Sequence, residues 1–249
     1  MEKNSQIRRR TCFGLLAAAL IFGTFIPSTA SAAPPDYRAI VASPDRSDTD
    51  RDLDKRRHPE QLLAFAGVKP GMKVLEIGAG RGYTAELLAR VVGPQGVVYA
   101  QNTNPRTEFD ERLKKPAMKN VMSVTRPFDD PAPPEAKNLD LITVILIYHD
   151  ITYLPVDRAQ MNRRFFDLLK PGGHLVIVDH SAKAGTGVSV AKTLHRIEEA
   201  TLRQEVVAAG FKLSAEGNFL RDPGDSRAVP FREASDMVTD RFVLKFSKP

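Results

Sequence analysis

Apolar positions along the chain recur with two alternating periods, one helical and one of strands. From Pro59, the residues Leu62, Leu63 and Phe65 predict a short amphipathic helix with proline in its first turn, stopped by Gly67 and Pro70-Gly71. Lys73-Val74-Leu75-Glu76-Ile77 follows as a strand. Tyr83, Leu87, Leu88 and Val91 then stand at helical spacing until Gly93-Pro94 ends that helix. Gly96 to Gln101 predicts a second strand and Val121 to Thr125 a third. Leu139 to Ile147 is almost unbroken apolar sequence, which marks a strand covered on both faces at the centre of a parallel sheet. Met161, Phe165, Leu168 and Leu169 predict a helix that ends at Lys170-Pro171-Gly172-Gly173, and His174 to Asp179 reads as the fifth strand. One long helix is expected through Leu194, Ile197, Ala200 and Thr201 toward Gly210. Phe211 to Leu213 and Arg241 to Phe246 supply the last two strands. Strands alternating with helices imply a three-layer α/β fold: a mostly parallel, seven-stranded sheet with helices on both faces.

Ahead of this domain, which the pattern assigns to residues 57–249, two segments break the alternation. Residues 1–32 read as a removable leader: Arg8, Arg9 and Arg10 form a cationic start, Phe13 to Phe25 an apolar run, and Ala30-Ser31-Ala32 a cleavage site before Ala33. The run would span roughly 20 Å as a helix, short for a bilayer core of about 30 Å, so an exported, periplasmic protein with no lasting membrane span is expected. Residues 33–56 are rich in Pro and Asp and poor in apolar residues, and read as a solvated arm or a loop lying across the domain.

Charge and cysteine content narrow the chemistry. The formal charge is +6, falling to +3 once Lys3, Arg8, Arg9, Arg10 and Glu2 leave with the leader. That is too even a balance for a nucleic-acid binder. Cys12, the only cysteine, lies in the leader, so a thiolate nucleophile, a disulfide and a cysteine metal site are all excluded from the processed chain. The five histidines show no recognisable ligand spacing with carboxylates, and no metal is expected.

The stretch Glu76-Ile77-Gly78-Ala79-Gly80-Arg81-Gly82-Tyr83 carries the most information. A strand that turns through three glycines into a helix lets a ligand approach the backbone closely, since no Cβ stands in the way. A tight strand-to-helix turn is the plainer use of the same residues. The dinucleotide fingerprint requires a glycine where Tyr83 stands, so a nicotinamide cofactor is disfavoured.

With Leu169-Lys170-Pro171-Gly172-Gly173-His174-Leu175-Val176-Ile177, this loop resembles the class I S-adenosylmethionine-dependent methyltransferases. His58-Pro59-Glu60, Tyr148-His149-Asp150, Asp179-His180, His195-Arg196-Ile197 and Thr239-Asp240-Arg241-Phe242 look most like a group of exported methyltransferases of unassigned substrate. The resemblance implies the Rossmann-like methyltransferase fold and S-adenosylmethionine as cofactor. Glu76, Gly78, Ala79, Gly80 and Gly82 would lie against its methionine part. Asn102 stands where an acidic residue usually holds the ribose hydroxyls, and Asp129 or Asp130 matches the position that meets the adenine amino group, with an Asp turn before Pro131 as the other reading.

Tyr148, His149 and Asp150 follow the central strand, where open α/β sheets bind ligands, and are the catalytic candidates. An imidazole suits general-base work, and capping the next turn is the alternative use of His149; His180 and His195 stand under the same pair of readings. The sequence therefore predicts methyl transfer from S-adenosylmethionine to a small-molecule or lipid-like acceptor, not to nucleic acid. The alternative is a non-catalytic exported binding protein that retains the fold.

Overall fold

The computed structural model describes residues 35–234 and 238–249, so the expected leader lies outside the described residues. Seven strands, β1 (Lys73–Ile77), β2 (Val97–Asn102), β3 (Val121–Thr125), β4 (Leu139–Ile145), β5 (Leu169–His180), β6 (Lys212–Gly217) and β7 (Arg241–Ser247), form one sheet in the order β3-β2-β1-β4-β5-β7-β6. The first five run parallel, and β7 is antiparallel to both β5 and β6. Nine helices among the described residues accompany them: α1 (Tyr37–Val41), α2 (Asp48–Arg57), α3 (Pro59–Ala66), α4 (Tyr83–Val92), α5 (Thr107–Leu113), α6 (Tyr148–Ile151), α7 (Arg158–Leu168), α8 (Ala191–Leu194) and α9 (Glu199–Ala208). This is the expected three-layer fold. No helix among the described residues is long and apolar enough to cross a membrane.

The two cores follow from the period-2 alternation of strand side chains. Leu75 and Ile77 of β1, Ile142 and Val144 of β4, Leu175 and Ile177 of β5 and Phe242 and Leu244 of β7 pack with Met161, Phe165 and Leu202 of α7 and α9. Their neighbours Val74, Leu141, Val176 and Val243 face the other way, against Leu62, Leu63, Leu87 and Leu88 of α3 and α4. Glu76 alternates onto this second face, a carboxylate among hydrocarbon.

Three local expectations change. Strand β4 stops at Ile145, because Leu146 takes a left-handed φ of 58° and turns the chain into α6. The turn expected at Lys170–Gly173 is an irregularity inside β5, with pairing that slips between Leu139↔Leu169 and Leu141↔His174. The single long helix is two, α8 and α9, separated at His195, whose φ of 51° ends α8.

The larger difference is the arm. Residues read as solvated loop form α1 and α2, with Asp36 and Ser47 as N-caps accepting from Ala39 N and Asp50 N. Acidic residues open α2 and Lys55, Arg56 and Arg57 close it, complementing the helix dipole. Ion pairs, not an apolar stripe, dock it. Arg112 Nη1 reaches Asp50 Oδ2 and Glu86 Oε2, both at 2.7 Å. Arg90 Nη2 bridges Asp45 and Glu86, each at 2.7 Å. Arg46 forks onto Asp54 at 2.6 and 2.7 Å, and the Tyr83 hydroxyl donates to Asp54 at 2.6 Å. Composition alone hid this, because charged residues signal solvation unless their partners, here up to 62 positions away, are known.

Replacing Arg112 with alanine strands the buried Asp50 carboxylate and thins the pairing of Glu86. Urea denaturation is expected to show a stability loss of about 3 kcal/mol.

Candidate active site

Strand β1 delivers the chain to Gly78-Ala79-Gly80-Arg81-Gly82 at the carboxyl edge of the sheet, and α4 starts directly after. Gly78, Gly80 and Gly82 all have left-handed φ, at 64°, 60° and 83°. A Cβ on Gly78 would come within 2.9 Å of Ile147 Cγ1 and one on Gly82 within 2.7 Å of Phe109 Cδ2. At Gly80 the nearest atom would be the Gly78 carbonyl oxygen at 3.9 Å. Two of the glycines thus serve packing, while Gly80 leaves open space above the backbone.

That space belongs to a cavity of about 510 Å³ lined by Arg57, Glu76, Gly78, Gly80, Thr84 and Ile147, among others. Glu76 is 3% exposed and its Oε2 has no hydrogen-bond partner. Burial raises its carboxyl pKa to about 8, against the opposing pull of Thr84 and of the positive Arg57 and Arg112. Arg57 comes from the last turn of α2, its guanidinium 4.8 Å from the centre of the Tyr83 ring. Leu53, Arg56, Arg57 and Arg232 line the cavity without having been candidates from sequence. The signal for Arg56 and Arg57 was the basic end of α2, readable only once that segment is known to be a docked helix.

Asn102 does not stand open as a ribose acceptor. Its Oδ1 accepts from Gly80 N at 2.8 Å and its Nδ2 donates to Gly80 O at 3.3 Å, so the amide is committed to the glycine loop. Gln101 does the same one residue earlier, accepting from Gly78 N at 2.9 Å and donating to the Arg126 carbonyl at 2.6 Å. Asp129 also departs from its expected place. It lines a shallow depression with Gln160 and Arg163, and Asp130 lines a larger one of about 570 Å³ with Arg126 and Arg164; neither borders the glycine-loop cavity.

Of the three catalytic candidates, Tyr148 points into the core. It is 0% exposed, its hydroxyl donating to Glu205 Oε2 and accepting from Asn162 Nδ2, both at 2.7 Å. His149, 2% exposed, faces two carboxylates: Nδ1 lies 2.6 Å from Asp179 Oδ1, and Nε2 lies 3.1 Å from Asp150 Oδ1. Burial works against a charged imidazole, yet the two carboxylates prevail and push its pKa up to about 10. His149 therefore carries its proton at neutral pH and is not a ready base. Asp150 is held well below the usual carboxylate range: burial would raise it, but His149, Tyr153 and His195 outweigh that effect. His195 Nδ1 is 2.9 Å from the same Asp150 oxygen. His180 is neutral, its pKa driven far down by burial and by Arg241, His149 and Arg196, and its ring stacks on Phe231 at 4.8 Å. Three of the five histidines meet here, a grouping no sequence spacing announced.

Residues 48–216 match the family model described as a methyltransferase domain, more than half of the chain. The chain belongs to that family. This methyltransferase is 32% identical over 125 residues to the ubiquinone/menaquinone biosynthesis C-methyltransferase UbiE of Cupriavidus necator, covering 48% of this chain and 47% of the relative. It is 31% identical over 118 residues to protein-L-isoaspartate O-methyltransferase of Pyrococcus horikoshii, covering 47% and 48%. A fibrillarin 3 of Arabidopsis thaliana, named for rRNA 2'-O-methylation, is 31% identical over 144 residues, covering 55% and 46%. The chain spans about half the length of the curated relatives it matches. Their names denote three different acceptors, one of them RNA, and so lend no support to the exclusion of nucleic acid drawn from charge. Among solved structures, a SAM-dependent methyltransferase from Aquifex aeolicus superposes with a TM-score of 0.57 at 19% identity, covering 82% of this chain and 100% of that one. It shares the fold.

Two outcomes follow from this geometry. Asn102→Asp removes the donor to Gly80 O and brings a second carboxylate oxygen toward that carbonyl, so the variant is expected to lose about 1 to 3 kcal/mol in denaturant titrations and to gain no affinity for an adenosyl ligand. For Glu76, the unfolded carboxyl ionises near 4.5 while the folded one keeps its proton to about 8. Its contribution to stability is therefore complete at low pH and declines by up to about 1.4 kcal/mol per pH unit across that window. Relative to wild type, Glu76→Gln should gain stability as pH rises from 4.5 to 8, read from unfolding midpoints.

Proposed function

We propose that this protein binds S-adenosylmethionine in the glycine-loop cavity and transfers its methyl group to a small-molecule or lipid-like acceptor. The observation that carries the reading is the buried, unpartnered Glu76 Oε2 beside the open space over Gly80. An isolated buried acceptor costs about 1 to 3 kcal/mol unless a donor reaches it, and a cationic ligand is the natural donor for a carboxylate. Glu76 would accept from the cofactor's ammonium group, Arg57 would face its carboxylate, and Gly80 would let it lie against the backbone. When bound, S-adenosylmethionine supplies an electrophilic methyl group on a sulfonium centre. The chain's own part is to hold donor and acceptor in line and to exclude water, with Ile147 and Leu146 forming the apolar wall.

Calorimetry on the purified protein tests this. S-adenosylmethionine is expected to bind one to one, with binding abolished in Gly80→Val, whose side chain occupies the cavity, and weakened at least tenfold in Glu76→Ala. At 100 times its Kd the cofactor should raise stability by about 2.7 kcal/mol. Binding of NADH with no response to S-adenosylmethionine would overturn the reading. Transfer of labelled methyl to a metabolite or lipid extract separates the enzyme from a binding protein.

A further inference from the structure

At the carboxyl ends of β4 and β5, His149, Asp150 and His195 bring their ligand atoms within 4.8 Å of one another. Two of the edges are short: His149 Nε2 to Asp150 Oδ1 is 3.1 Å and His195 Nδ1 to the same oxygen is 2.9 Å. Neighbouring ligands about 2.1 Å from a metal ion at right angles stand about 3 Å apart. The third edge can close by rotation of His195, which is partly exposed.

The surroundings orient this set. Asp179 binds His149 at Nδ1 (2.6 Å) and at its backbone N (2.8 Å), which places a hydrogen on Nδ1 and turns Nε2 toward Asp150. A buried carboxylate behind a histidine in this way is how proteins fix the tautomer of a metal ligand. The Tyr153 hydroxyl donates to Asp150 Oδ1 at 2.6 Å and holds that carboxylate in place. His195 stands where the chain leaves α8, in a left-handed backbone conformation of φ 51° that turns it away from the helix. Two carboxylates thus converge on one imidazole, Asp179 at Nδ1 and Asp150 at Nε2.

We infer that His149 Nε2, Asp150 and His195 form a site for one divalent first-row transition-metal ion. Two imidazoles with one carboxylate favour zinc, cobalt or iron(II) over magnesium or calcium, which prefer all-oxygen sites. Phe231 and Tyr153 flank His195 with ring centres 5.7 and 6.5 Å from its own, and Asp150 and His195 are partly exposed, the side on which an ion's remaining coordination positions would open. They would take an oxygen ligand, an alcohol or phenol of the acceptor, whose proton becomes more acidic on coordination. This last consequence rests on the methyl-transfer reading; the metal site does not.

The test uses the untagged, chelator-treated full chain, without cofactor or acceptor, titrated with Co²⁺ and Zn²⁺ by calorimetry and visible absorption. One ion per chain and the d–d bands of nitrogen-ligated cobalt are expected, with affinity at least tenfold lower in His195→Gln and Asp150→Asn and unchanged in His58→Asn, which alters an exposed histidine outside the cluster. Circular dichroism establishes that the variants fold. Wild-type uptake below one ion per chain overturns the site whatever the variants do, as does wild-type affinity retained in folded His195→Gln and Asp150→Asn. A positive titration with no S-adenosylmethionine binding would keep the metal site and remove the methyl-transfer reading.

Discussion

The constraint on which the rest depends is that the backbone N–H groups of the glycine loop must be satisfied without a ligand's help. Gln101 and Asn102, consecutive at the end of β2, do this with their side-chain amides, accepting from Gly78 N and Gly80 N. Consecutive strand residues point to opposite faces, so the pair grips the loop from both sides. The loop is thereby preorganised, with its left-handed glycines held and the space above Gly80 kept clear. An amide is better suited than a carboxylate to this task at position 102, because it donates to the Gly80 carbonyl while accepting from the amide of the same residue.

The second determinant is electrostatic. Glu76 faces the apolar layer under α3 and α4 and is destabilised as an anion there, while the charged network around Glu86 lies only one helix away and is fully paired. The two glutamates show opposite shifts because of their neighbours. Glu86 meets Arg90, Arg112 and Lys115, which outweigh burial, whereas burial prevails at Glu76 over a hydrogen bond with Thr84 and the more distant Arg57 and Arg112. The paired network docks α2 and so sets Arg57 at the cavity wall. The unpartnered Oε2 of Glu76 is left at the cavity, the polar atom that a bound cation would satisfy.

At the neighbouring strand ends, two adjacent imidazoles are driven in opposite directions. The rings of His149 and His180 are 5.7 Å apart. His149 is charged because Asp150 and Asp179 both reach it; His180, equally buried, hydrogen-bonds only to the neutral Thr239 hydroxyl among its described side-chain partners and feels the positive Arg241 and Arg196. Proximity in such a cluster therefore says little about protonation until each partner is placed. The same reasoning separates Tyr148 from the reactive candidates: it opens α6 beside His149, yet its hydroxyl is used up between Glu205 and Asn162 in the core.

The sequence by itself determined the strand and helix pattern, the central position of β4, the glycine loop and the methyltransferase resemblance, because each is written in local periodicity and in residues adjacent along the chain. Glycine was legible at 78, 80 and 82 since backbone conformation is a local property. What only the tertiary structure decided are the pairings at long separation. The arm is a docked helix because Arg112 and Arg90 supply counter-charges that composition cannot assign. Asn102 closes the loop and does not stand open to a ribose because Gly80, 22 residues away, folds back onto it. His195 joins Asp150 across 45 residues because a left-handed turn interrupts a helix that periodicity alone would continue. Hydrophobic period encodes which face of an element is buried; the partner of a polar group is set by where the other elements come to rest, and that is a property of the packed sheet.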